Sequence, residues 1–319
     1  MPLLESDYHS PRWLRHGHLA TVLPALWKTP VMAWSRTERL ELEDGDFLDL
    51  AWSQAGHSRL AVLSHGLEGS VEAGYIRRMA AALAAAGWDV LAWNYRSCGG
   101  IPNRLLRSYH SGASPDLRVV VNHAAPAYQE LALVGFSLGG NISLKYAGEL
   151  PPHPAVTRVV AISTPVDLAS SARALDERPG NRYYLNRFLR TLTRKAMAKS
   201  LQFPGKIDPA ILRGIRTIRE FDERITAPIH GFAGAEDYWA RASSLPLIGQ
   251  IPVPSLLINA ADDPLLDQPS LPRSMAKTHP HFHLEIPLWG GHVGFPGPAG
   301  NQAPWLAGRV VQFLERGSS

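Results

Sequence analysis

Cysteine is almost absent: Cys98 stands alone among 319 residues. That excludes a disulfide scaffold and any multi-cysteine metal site, and a lone thiol suits a reducing compartment. No apolar run approaches the roughly 18 residues that a membrane-crossing helix needs. The longest candidate, Met79 to Trp88, is short and rich in alanine. The first residues, with Glu5, Asp7, His9 and Pro11, lack the basic start and apolar stretch of a secretion signal. Charge is scarce too, at 19% against 45% hydrophobic residues, which excludes a disordered chain. Gly (27) and Pro (26) are scattered without a period, so there is no collagen-like or low-complexity tract. The expectation is a soluble, cytoplasmic, globular protein.

The net charge of +4 is local in origin. Residues 178–206 hold eight Lys or Arg and no acid, which leaves 24 basic and 28 acidic side chains elsewhere, a balance of −4. One basic face argues against a protein that coats nucleic acid.

The pattern along the chain is that of one α/β domain over 1–319. Residues 1–36 carry Pro, Trp and His with little periodicity and read as an N-terminal arm. Glu38–Glu43 and Phe47–Trp52 flank Asp44-Gly45-Asp46, a turn signal, and predict a hairpin. Short apolar strands then alternate with helices. Strands are expected at Leu60–Ser64, Asp89–Trp93, Leu131–Phe136, Arg158–Ser163, Ser255–Asn259 and His283–Pro287. Helices are expected at Tyr75–Ala86, Leu117–Ala125, Leu138–Leu150, near Ser270–Lys277 and from Trp305 to Glu315. Such alternation predicts a mostly parallel central sheet with helices on both faces. Residues 165–226, polar, helical and basic, interrupt it and read as a helical cap insertion.

The most informative segment is Gly135-Phe136-Ser137-Leu138-Gly139, which lies between a buried-type strand and a helix. A G-x-S-x-G sequence in that setting is a sharp elbow that presents its serine as a nucleophile at the helix N-terminus. The bland alternative is a tight strand–helix turn with a capping serine. A nucleophilic serine needs a histidine base and an acid, in chain order Ser, Asp/Glu, His. Position selects among thirteen histidines. Gly290-Gly291-His292 and Ala261-Asp262-Asp263-Pro264 follow successive strands, at the edge where open α/β sheets bind ligands. His292 is the predicted base. Asp263 is the predicted acid, favoured only weakly over Asp262, with Asp167 as a third choice. The backbone N–H groups of Leu138 and Leu67 are the expected oxyanion donors. His65 and His110 are candidates for substrate contact, each with an equally ordinary structural role. Cys98 lacks an elbow and is not expected to be a nucleophile.

Ten islands together resemble the YheT-like branch of the α/β-hydrolase family, related to abhydrolase-domain proteins. They are Gly17-His18-Leu19-x-Thr21, Asp44-Gly45-Asp46-Phe47-x-Asp49-Leu50, His65-Gly66-Leu67-Glu68-Gly69-Ser70, Asn94-Tyr95-Arg96, Pro102-Asn103-Arg104, Tyr109-His110-Ser111-Gly112, Gly135-Phe136-Ser137-Leu138-Gly139-Gly140-Asn141, Phe221-Asp222-x-x-Ile225-Thr226-Ala227, Asp262-Asp263-Pro264 and Gly290-Gly291-His292-Val293-Gly294-Phe295. The resemblance implies the α/β-hydrolase fold and hydrolysis of carboxylic esters, with lipids as substrates of some animal relatives. The family's Ser, Asp and His fall on Ser137, Asp263 and His292. Two departures, Arg96-Ser97-Cys98-Gly99-Gly100 and Phe221-Asp222-Glu223, leave that triad untouched.

The expected chemistry is acyl transfer to water, with no metal or organic cofactor. The expected substrate is a small-molecule or lipid-like ester, and a lipase, thioesterase or acyltransferase would use the same residues. The alternative from another class is a catalytically silent binding protein on the same fold. In residues 182–199, Leu185, Phe188, Leu189, Leu192 and Ala196 recur at helical spacing, with Arg187, Arg190 and Arg194 opposite. That predicts an amphipathic cap helix; the sharper reading is that the basic face meets anionic lipid, as a peripheral membrane contact, or an anionic substrate headgroup.

Overall fold

A computed structural model describes residues 3–27, 32–297 and 304–315. Among these residues one sheet forms from nine strands: β1 (Leu3–Leu4), β2 (Arg36–Glu41), β3 (Phe47–Ser53), β4 (Arg59–Ser64), β5 (Asp89–Asn94), β6 (Glu130–Phe136), β7 (Val156–Ile162), β8 (Ser255–Ile258) and β9 (Phe282–Glu285). Their order is β1-β9-β8-β7-β6-β4-β5-β3-β2. Every pair from β1 to β5 is parallel. The expected hairpin, β2 with β3, joins β5 as an antiparallel edge.

Side chains on the central strands alternate between two cores, as a period of two requires. Leu60, Val62, Leu131, Leu133, Val159 and Ala161 face one core; Ala61, Leu63, Ala132, Val134, Val160 and Ile162 face the other. The first core is closed by α3 (Ser114–Ala124), α4 (Leu138–Glu149) and Ala276 of α11 (Arg273–Thr278), the second by α2 (Gly74–Ala85) and α12 (Pro304–Glu315). Helix α2 buries Ile76, Met79, Ala80 and Leu83, one stripe of a 3.6-residue period.

The described part of the first 36 residues carries regular structure that its composition does not suggest. β1 extends the sheet beside β9, and Gly17–Leu26 forms helix α1. Residues 1, 2 and 28–31 of that segment lie outside the described residues.

Between β7 and β8 the chain is helical: α5 (Leu168–Glu177), α6 (Arg182–Gln202), α7 (Pro209–Gly214), α8 (Ile218–Phe221), α9 (Ala227–His230) and α10 (Ala235–Ala242). A π-helical turn over Asp222–Thr226 links α8 to α9. The helices thus continue past Thr226, and Tyr238, Trp239 and Ala242 share a third apolar core with Leu185, Leu189 and Phe221. Helix α6 buries Leu185, Leu189 and Ala196 and leaves Arg187, Arg190 and Arg194 exposed. Among the described residues no helix is long and apolar enough to cross a membrane.

A buried charge network ties the hairpin to the sheet edge. Arg96 donates to Asp116 through Nε and Nη2, both at 2.8 Å, and to Asp46 through Nη1 at 2.9 Å. This accounts for Asp44, Asp46 and Arg96 in the quoted motifs: they hold the hairpin turn to the loop after β5.

Candidate active site

Ser137 stands between β6 and α4 with φ +52° and ψ −120°, a sparsely populated backbone region for a residue with a side chain. Its neighbours make this conformation obligatory. A Cβ on Gly135 would overlap the Gly139 carbonyl, and a Cβ on Gly139 would overlap the Ser64 carbonyl. β6 and α4 therefore meet in a bend that only glycine permits at these two places. The Ser137 hydroxyl is left at the C-terminal edge of the sheet, at the positive end of α4.

His292 Nε2 lies 3.0 Å from Ser137 Oγ, and its Nδ1 lies 2.8 Å from Asp263 Oδ2. The Asp263 carboxylate only accepts, so Nδ1 carries the hydrogen and the Nε2 lone pair faces the hydroxyl. The other Asp263 oxygen accepts the Leu265 N–H at 2.9 Å. The Asp263 side chain is wholly buried and that of His292 only 12% exposed. An imidazole held this way can take a proton from the hydroxyl and keep its resulting charge beside a buried anion.

The two adjacent aspartates point in different directions. Asp262 Oδ1 accepts the Gly291 N–H at 2.9 Å, so it supports the loop before His292 and does not touch the ring. Burial raises its carboxyl above the usual range. Asp167 caps α5, accepting the Ser170 N–H at 2.7 Å.

The N–H groups of Leu67 and Leu138 have no hydrogen-bond partner among the described residues. Both residues line a cavity of about 100 Å³ together with Ser137 and His292. Leu168, Ala172, Leu175, Phe188 and Leu266 make its far wall apolar. A second cavity of about 120 Å³ shares Leu67, Leu138, Ser111, Ile218, Asp222 and Tyr238 with it and continues beneath α6. A larger polar cavity of about 340 Å³ lies against Asp262 and Asp263, and Ser137 is not part of its lining.

His65 and His110 part company. His65 is buried under Tyr95, ring centroids 3.9 Å apart. Its Nδ1 donates to the Gly66 carbonyl at 2.8 Å, and its Nε2 faces the Tyr95 N–H at 3.4 Å. Burial holds its pKa down to about 3, and it lines none of the three cavities described here. It therefore braces the loop that carries Leu67. His110 does line the second cavity, packed 4.6 Å from the His230 ring, and burial keeps it neutral. Cys98 is buried, which pushes its thiol up to about 11 and leaves no thiolate at neutral pH.

Four residues had no assigned role in the sequence reading. Thr21 on α1 accepts the His292 N–H at 2.8 Å, and Ser163 Oγ accepts the Val293 N–H at 2.9 Å. Glu68 and Tyr109 clamp the loop after β4. Three of them sit in or beside quoted motifs, Gly17-His18-Leu19-x-Thr21, His65-Gly66-Leu67-Glu68 and Tyr109-His110; only the contact across the fold reveals what they hold.

The strand order, the serine elbow and the loops that follow β8 and β9 define an α/β hydrolase. Residues 62–298 match the family model described as alpha/beta hydrolase fold. The Escherichia coli K12 protein named "Putative esterase YheT" is 37% identical over 97% of this chain and 93% of its own length. Human phospholipase ABHD3 is 26% identical, covering 92% of this chain and 75% of that protein. The solved Pyrococcus furiosus esterase Pf2001 superposes with a TM-score of 0.59 at 19% identity, over 88% of this chain and 90% of that one. The chain belongs to the α/β-hydrolase fold family, in its YheT-like branch.

Proposed function

We propose that this hydrolase cleaves carboxylic esters through an acyl-enzyme formed on Ser137. The observation that carries this reading is the hydrogen-bonded chain from Ser137 Oγ through His292 to Asp263, beside two unengaged N–H groups. Ser137 Oγ attacks the ester carbonyl carbon while His292 Nε2 takes the hydroxyl proton. The carbonyl electron pair moves onto oxygen, where the N–H groups of Leu67 and Leu138 receive it. Asp263 fixes the tautomer of the neutral imidazole and stabilises the imidazolium that forms. The tetrahedral adduct collapses, the C–O bond to the alcohol breaks, and His292 returns the proton to that leaving oxygen. Water, deprotonated by the same nitrogen, then attacks the acyl carbon, releasing the carboxylic acid and restoring Ser137.

The apolar cavity wall, Leu168 to Leu266, favours an aliphatic acyl chain over a charged one. The name borne by the human relative, phospholipase, points the same way, toward lipid-like esters. The test is hydrolysis of p-nitrophenyl esters from acetate to palmitate by wild type and Ser137→Ala. A working nucleophile predicts a loss of about 10⁴-fold or more in Ser137→Ala. Equal turnover by the two proteins would remove Ser137 from the mechanism.

A further inference from the structure

Leu67 lies on a loop where the N–H groups on either side of it are engaged. Gly66 donates to the Tyr75 hydroxyl at 2.9 Å, Glu68 to the Tyr109 hydroxyl at 3.0 Å, and Gly69 to the Gly66 carbonyl at 3.0 Å. Of the four N–H groups from Gly66 to Gly69, that of Leu67 has no partner among the described residues. Its tightest point is Glu68, with φ +56°, a left-handed conformation that a glutamate adopts only when its surroundings enforce it.

Two groups enforce it. The Tyr109 hydroxyl accepts the Glu68 N–H and donates to Glu68 Oε1 at 2.7 Å, closing a ring through one residue. The same Oε1 accepts from Lys195 Nζ at 2.8 Å. Lys195 comes from the middle of α6, 127 residues away in the chain, and its ammonium also lies 5.5 Å from the centre of the Tyr109 ring. The Glu68 side chain is only 7% exposed, so its charge is answered mainly by this one cation. No mechanistic step described above uses either residue.

We infer that Lys195 is a positioning residue for the oxyanion site: through Glu68, the cap helix α6 sets the direction of the Leu67 N–H. The inference rests on the oxyanion role proposed for Leu67. Two effects work in the same direction. Lys195 holds the carboxylate that fixes the left-handed turn, and it neutralises an anion that would otherwise oppose negative charge building up one residue away. Without the lysine, a nearly buried carboxylate keeps one neutral donor, and the turn relaxes toward water.

The experiment measures kcat and KM with p-nitrophenyl butyrate, and the rate of inactivation by an alkyl fluorophosphonate, whose phosphoryl oxygen takes the oxyanion position. Proteins compared are wild type, Lys195→Met, Lys195→Arg, Lys195→Gln, Lys195→Met with Glu68→Gln, and Ser137→Ala. Removing an oxyanion donor outright costs about 10²–10³-fold, so a misdirected donor in Lys195→Met should cost about 10- to 100-fold in kcat and in inactivation rate. KM should stay within about threefold, because the contact acts on the transition state. Lys195→Arg, which keeps the charge, should recover most of the rate. Adding Glu68→Gln to Lys195→Met should also restore part of it, since the uncompensated anion is gone. If Lys195→Met does not fold, Lys195→Gln, with a hydrogen-bond donor but no charge, decides by the same readouts. Wild-type kcat and inactivation rate in the uncharged variant, or a change confined to KM or to melting temperature, would overturn the inference and leave the ion pair as a staple between cap and body. Ser137→Ala separates the two levels. If it turns over ester or reacts like wild type, the hydrolytic reading has failed; if it is inert while the lysine variants match wild type, only the role of Lys195 has failed.

Discussion

Replacing Thr21 by valine removes one hydroxyl and keeps the shape of the side chain. That hydroxyl accepts the His292 N–H at 2.8 Å and donates to the Gly17 carbonyl at 2.6 Å inside α1. Valine offers no acceptor, so the His292 N–H loses its partner next to the ring that faces Ser137. An N–H left unsatisfied away from water costs about 1–3 kcal/mol. The loop then either stays in place, at a cost in stability, or shifts to find water, at a cost in the Nε2–Oγ geometry. The neighbouring Val293 N–H still anchors to Ser163, so the loop should shift without detaching. Expressed as rate, 1–3 kcal/mol is a fall of about 5- to 150-fold in kcat/KM. Thr21→Ser keeps the hydroxyl and should remain close to wild type. The assay is p-nitrophenyl butyrate hydrolysis beside thermal unfolding. If Thr21→Val matches wild type in both, α1 does not hold the histidine and the reasoning is refuted.

Other consequences can be checked with the same assay. Asp263→Asn should cut kcat about 10³- to 10⁴-fold by disturbing the His292 tautomer; Asp262→Asn, which can still accept the Gly291 N–H, should cost under about tenfold, and the reverse order would make Asp262 the acid. Gly139→Ala should fail to fold or lose nearly all activity, because its new methyl meets the Ser64 carbonyl; a folded, active variant would show that the elbow is less tight than described. Asp222 is pushed up to about 6 by burial, although Trp239 Nε1 and Thr226 Oγ1 donate to it. The folded chain therefore binds an extra proton between pH about 4 and 6, and stability falls as pH rises through that window. Two pH units bound the effect at about 3 kcal/mol. Asp222→Asn removes the titration, so urea unfolding should show the variant gaining on wild type at pH 8 relative to pH 4; an equal difference at both would contradict the shift.

Much of this was legible because local pattern and tertiary role coincide. The apolar runs of β4, β6 and β7 are buried on both faces, and such runs read as central strands whatever lies around them. The elbow is legible because backbone contact at Gly135 and Gly139 excludes every other residue. His292 and Asp263 follow successive strands, so topology brings them to one edge. The rest depends on contacts that sequence spacing does not encode. Helix α1 leaves Leu19 and Leu26 exposed and works through Thr21, 271 residues from the backbone it holds. Adjacent aspartates differ only in which carboxylate turns toward the ring. His65 follows a strand as a substrate contact would, and only the Tyr95 ring above it marks it as a brace. α9 and α10 are four and eight residues long, too short to announce themselves by periodicity, so the helices between β7 and β8 extend beyond the expected boundary at Thr226.

The central claim is that Ser137 is an activated nucleophile, and covalent labelling tests it without knowledge of the natural substrate. Wild type, Ser137→Ala and His292→Ala are incubated with an alkyl fluorophosphonate, and the adduct is located by peptide mass spectrometry. The account predicts one adduct, on the peptide that contains Ser137, absent in Ser137→Ala and formed far more slowly in His292→Ala. An unlabelled Ser137 in the wild type, or labelling that is indifferent to His292, would contradict it.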